Sequence, residues 1–253
     1  MSKEKLMEAL DAFKKAEKCE NKMAELFKPI AINLLTGGYF VVSSENDVVR
    51  RVFPYTVEFY YHEEDGFGET KDYIVYHRNP DNPTKKPSQL TAFKVGSLNT
   101  HISGIDITFE DPEGRYRASA LIRAYQVIEG DKEFPSTEGE VNPEVNRFST
   151  YLYNNFFMGV NIEKGITVKW KDEEWAKLRC LYNGYRVNVC KYKDIEMDKP
   201  VRWCKHVKMT KNSDSSKGPI IEAKDIQDKK PWAFSRGEFS GLCNMEGGEF
   251  IIE

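Results

Sequence analysis

The stretch TVEFYYHEEDG, residues 56–66, sets Glu58 and Tyr60 two positions apart and follows them with His62, Glu63, Glu64 and Asp65 before Gly66. In an extended chain residues i and i+2 share a face, so a carboxylate and a phenol would stand side by side. So much polar and aromatic chemistry at a strand end marks either a decorated surface hairpin or the lip of a pocket. On its own, Glu58 is as readily a surface or salt-bridged glutamate. One chemistry open to the same residues is divalent-metal binding by Glu58, His62, Glu63, Glu64, Asp65 and Asp106, as a nuclease or phosphoesterase requires. Three carboxylates ahead of a glycine more often mark a solvated turn, which weighs against the metal.

Other constellations carry less. His101, Ser103 and Asp106 have the residue types of a catalytic triad. They crowd into one hairpin, however, and no G-x-S-x-G elbow occurs. Cys190, Cys204 and His206 lack the paired spacing of a zinc knuckle. Lys71, Lys85, Lys86 and Lys94 fall in polar loops or at a strand start, where nothing depresses an amine into a Schiff-base nucleophile. Gly37 and Gly38 close a helix where a phosphate-binding loop would open one.

The elements that must position these residues are legible from periodicity. Leu6, Leu10, Phe13, Ala16, Met23 and Phe27 recur near a 3.6-residue period, predicting a long amphipathic helix over 3–28, broken near Cys19. Pro29 is expected to open a second, short helix that ends at Gly37–Gly38. The period then falls to two: YFVVSS, VRRVFPYTVEFYYH and YIVYH read as strands, and RNPDNPTKKPSQ (78–89) as a surface loop. Residues 96–130 predict a strand, a kink at Gly104, a strand ending in the DPEG turn at 111–114, and a returning strand through Leu121 and Ile122. A helix over 144–158 and strands at GITVKW, YRVNVC and EFIIE complete the reading. The expectation is an α+β fold in a single domain over 1–253, with residues 1–28 as an N-terminal helical extension packed on a curved, mostly antiparallel sheet.

Composition bounds the function. The 253 residues suffice for a proper core, and no apolar run nears the roughly 18 residues of a membrane span. MSKEKLMEALDAFKKAEK lacks the apolar stretch of a signal peptide, so a cytoplasmic location is expected. Five scattered cysteines fit reduced thiols. A net charge of −3 argues mildly against a protein that coats a polyanion. Locally the balance differs: from Lys164 to Lys211 basic residues outnumber acidic ones by about two to one, with Trp170, Trp175, Tyr182, Tyr185, Tyr192 and Trp203 among them. Ordinary aromatic packing under a solvated face is the plainer account of that segment.

Taken in order, NLLTGGYFVV, YTVEFYYHEED, YHRN, GSLNTHISG, ALIRAYQVIEG and KKPWAFSRGEFS resemble the alkyladenine (3-methyladenine) DNA glycosylase family across most of residues 25–240. The resemblance implies a monofunctional DNA glycosylase: a modified base is rotated out of double-stranded DNA, and water replaces it at the anomeric carbon. No metal and no organic cofactor is implied, and the protein would act as a monomer. Carried across, Glu58 would activate the water and stabilise positive charge on the sugar. Tyr60 would wall the base, and His77 would hydrogen-bond across the pocket. Arg123 would support the water or phosphate, with Leu121 on the same strand face. His101 stands where the family has a stacking tyrosine and Ile102 or Ser103 where it has a DNA-wedging aromatic; an isoleucine can still wedge between base steps. Thr56 replaces a second glutamate of the family's strand, and a slipped alignment would set Tyr60 at the catalytic position. DNA is expected along the 85–94 loop, Arg115, Arg117 and part of the basic segment. The rival reading is a non-catalytic binding module of the same fold for nucleic acid or a small ligand, with a metal-dependent nuclease behind it.

Overall fold

The computed structural model describes residues 5–43, 49–63, 70, 93–101, 104–130, 133, 167–186, 190–191, 226–227, 229–237, 245 and 247–251. Helices α1 (Lys5–Lys15) and α2 (Met23–Ile32) come first. Strands β1 (Tyr39–Ser43), β2 (Arg50–Glu63), β3 (Leu98–His101), β4 (Gly104–Thr108), β5 (Tyr116–Glu129), β6 (Thr167–Lys171) and β7 (Leu181–Gly184) follow. The last four are β8 (Cys190–Lys191), β9 (Ile226–Gln227), β10 (Ala233–Arg236) and β11 (Glu249–Ile251). Among the described residues nine strands form one open sheet in the order β11-β7-β10-β2-β5-β4-β3, with β1 on β2 and β6 on β1; β8 and β9 pair separately. Each of these pairings is antiparallel. The α+β architecture expected from periodicity, helices first and packed on an antiparallel sheet, is therefore the one found.

The helices sit on one face of the sheet. Leu6, Leu10 and Phe13 of α1 and Met23, Phe27, Ile30 and Ala31 of α2 are buried. Phe27 stacks on Phe59 of β2 at 4.5 Å, and Phe13 meets Phe109 edge-on at 5.1 Å. Two local expectations need correction. Pro29 opens no helix but lies inside α2; Phe27, Ile30 and Ala31 around it are fully buried, and that packing outweighs the one hydrogen bond its missing N–H removes. The strand expected over YRVNVC is not found at its first two residues: Tyr185 and Arg186 follow the end of β7 at Gly184, opposite Ala233, where Pro231 has no N–H to continue the ladder. Cys190 begins β8, and residues 187–189 lie outside the described residues. The predicted kink at Gly104 is a strand reversal, with His101 paired to Gly104. YIVYH, the 78–89 loop and the 144–158 helix lie outside the described residues.

The helix does break near Cys19, and the end of α1 is closed by Lys18. Its ammonium donates to the carbonyls of Phe13 (2.6 Å), Ala16 (2.8 Å) and Lys14 (3.1 Å) and stands over the rings of Phe13 and Tyr116. A cation at a helix C-terminus satisfies orphan carbonyls and opposes the dipole. Lys18→Met is expected to cost about 1–2 kcal/mol in a urea melt, with an unchanged slope.

The long pair β2–β5 holds the feature that shapes the rest. Val52 belongs to the helix-side core, as do Val57, Phe59 and Tyr61, while Phe53 and Tyr55 join a second cluster with Tyr39, Ala124 and Trp175. The alternation of faces therefore slips by one between Val52 and Val57. The cause is a pair of opposed bulges. Pro54 faces Tyr125 and Thr56 faces Ala124, so Tyr55 is extra on β2; Val57 then faces Ile122, so Arg123 is extra on β5. Each bulge turns its strand by one residue, and together they restore the ladder with the inner face of both strands exchanged. Pro54 fits there because the ladder is already interrupted.

Candidate active site

Past the bulges, β2 turns Thr56, Glu58, Tyr60 and His62 to the face away from the helices. Glu58 pairs with Leu121 of β5 on one side and Ala233 of β10 on the other, both short or apolar neighbours that enclose it. Its side chain is 0% exposed. Arg123, the extra residue of the β5 bulge, reaches back to it as a fork, Nε donating to Oε2 at 3.1 Å and Nη2 to Oε1 at 2.9 Å. The Tyr60 hydroxyl also donates to Oε1. These three donors suit a carboxylate, which accepts only. Burial first, and the Glu58 charge second, push the Tyr60 phenol well above its ordinary range, so it stays protonated and keeps donating. Arg123 is 17% exposed and Tyr60 half-buried. A ligand arriving from solvent thus meets a ring and a guanidinium before the carboxylate beneath them.

Of the residues expected from sequence, the fold brings together Glu58, Tyr60, Leu121 and Arg123. His101 ends β3, separated from β2 by β5 and β4, about 14 Å in backbone at ordinary strand spacing. Its side chain, His77 and Ile102 lie outside the described residues. Arg117 is a correction: expected on a DNA-contacting face, it is 1% exposed and ion-paired with Glu110. Its position opposite His62, on the buried face beyond Tyr60, explains this. Arg115 is exposed but engaged by Asp111, which accepts from its backbone N–H and its guanidinium. Asp106 accepts from Ser119 at 3.1 Å, so it serves a cross-strand bond on β5. Among the described residues no group of three histidine, cysteine or acidic side chains is close enough to hold a metal ion. Within the basic segment, Trp175 is buried in the second cluster and Trp170 packs edge-on against Phe40 at 4.9 Å; both are packing residues.

Sequence reasoning missed Arg186, whose guanidinium lies over the Tyr60 ring, and Trp232 and Lys230, which stand with Arg186 and with each other. All three are buried. A strand read through YRVNVC hid Arg186 as one position in an alternating run, and only KKPWAF hinted at Trp232. Among the described residues no helix is long and apolar enough to cross a membrane. Compared with models of protein families, with curated proteins and with solved structures, the chain matches none.

Proposed function

We propose that this chain is a DNA glycosylase that takes a flipped, modified base from duplex DNA and hydrolyses its N-glycosidic bond. The observation that carries the reading is a buried carboxylate, Glu58, directly beneath a partly exposed aromatic ring and a partly exposed guanidinium. In this reading the base stacks on Tyr60 and its bond to the anomeric carbon breaks as the sugar becomes oxocarbenium-like. Glu58 accepts a proton from the attacking water, whose oxygen forms the new bond to that carbon. Arg123 orients Glu58 and the water or phosphate. The order of motifs, in its resemblance to the alkyladenine glycosylase family, supports the same assignment. It implies a cytoplasmic monomer that needs neither metal nor organic cofactor.

A second reading, a binding module without catalysis, is favoured by one feature: both Glu58 oxygens already accept hydrogen bonds from Arg123 and Tyr60. Three donors on a group with about four acceptor sites leave an attacking water little room to be activated. A mass-spectrometric scan for free bases released from alkylated, deaminated and hyper-modified duplexes separates the two. Release of at least one base is expected. Salt-dependent duplex binding with no base released from the whole panel would establish the module instead.

A further inference from the structure

Arg186 lies just past the end of β7 and is fully buried. Its guanidinium carbon stands 5.0 Å from the ring centroid of Tyr60 and 5.1 Å from that of Trp232. Trp232 is a fixed support: it is fully buried, meets Phe27 edge-on at 5.3 Å, and its carbonyl accepts the Phe59 N–H at 2.8 Å. A tyrosine side chain turns about two bonds. The hydroxyl bond to Glu58 holds one end of Tyr60, and a planar cation on its face would hold the ring against rotation.

We propose that Arg186 is a positioning residue of the candidate site: stacked on Trp232, it fixes the Tyr60 ring so that the hydroxyl stays on Glu58 and the remaining ring surface faces the ligand. The inference deepens the excision reading, since it rests on Glu58 and Tyr60 forming the site. It also assigns the two ring faces different work. The face against Arg186 is occupied, so a base can stack only on the other. Arg186 acts through Tyr60.

The test follows the Tyr60 hydroxyl proton by NMR, assigned as the tyrosine hydroxyl signal missing from Tyr60→Phe. In the native protein this proton is expected to exchange slowly. In Arg186→Met, which keeps reach without charge, exchange should be at least tenfold faster while the Phe59 amide stays protected. Arg186→Lys keeps the charge but not the plane, and should fail to rescue. Should Arg186→Met lose the Phe59 protection, Arg186→Lys decides alone. Unchanged hydroxyl exchange in the folded variant overturns the proposal. Base release adds a second readout: kcat should fall at least tenfold with little change in KM. If the native protein releases no base while hydroxyl exchange responds as stated, excision falls and positioning stands. If bases are released and exchange is indifferent to Arg186, the reverse holds.

Discussion

Glu58→Gln is expected to slow release of free base by about 10²–10⁴-fold, the range a positioned general base supplies, while duplex binding changes little. Glutamine keeps the volume of the side chain and one acceptor for the Tyr60 hydroxyl. It cannot take a proton from water. The change also leaves Arg123 without its carboxylate, so a melt must accompany the rate. Arg123 is partly exposed, which lets water compensate its charge, and the variant should remain folded. Release unchanged in Glu58→Gln would remove the catalytic assignment. Equal loss in the rate and in duplex affinity would point to a structural role for the Glu58–Arg123 pair.

The second large effect is on stability and concerns the pair deeper on the same face. Arg117 and Glu110 are 1% and 0% exposed and hydrogen-bonded to each other, and Glu110 also accepts the Phe93 N–H at 2.8 Å. Breaking such a pair leaves one buried charge uncompensated, so Arg117→Met should cost about 3–5 kcal/mol. Arg117→Met with Glu110→Leu should recover most of that, because removing both charges also removes the desolvation that opposes them. Equal losses in the single and the double variant would show that volume, not charge, sets the cost.

Glu110 further predicts a sign in the pH dependence. Burial raises its carboxyl above 4.5, against the pull of the Phe93 N–H and Arg117. Between 4.5 and the raised value the folded state holds more protons than the unfolded one, so its share of stability falls as pH rises through that window. Asp111 behaves oppositely. Its bonds to Arg115 lower it below 3.8, so its contribution is present above 3.8 and is lost as pH falls through the lowered value. Glu110→Gln should flatten the upper window alone and Asp111→Asn the lower one alone, measured as urea midpoints against pH.

Local pattern made much of the scaffold legible. The 3.6-residue spacing of Leu6, Leu10 and Phe13 marks the buried stripe of α1. DPEG marks the turn before β5, where Gly114 adopts a φ of 75° and its N–H returns to the Asp111 carbonyl. Alternation marks β2 and β5 as strands, and places Glu58 and Tyr60 on one face. The misses share a cause. Pro29 and the first two residues of YRVNVC were misjudged because packing and the chemistry of the neighbouring strand override local signals. Arg117 was taken for a surface cation because charge alone does not show whether a strand face is covered.

By itself, then, the sequence determined the buried stripe of α1, the extended course of β2 and β5 and the shared face of Glu58 and Tyr60, because each follows from a period of a few residues. Tertiary structure alone decided which face is buried, since that depends on two bulges facing each other across strands about 65 positions apart, as the Arg123–Glu58 separation measures. It also brought Arg186 to the rings of Tyr60 and Trp232. Contacts between residues so distant along the chain leave no spacing to read, and arise only when the strands pair.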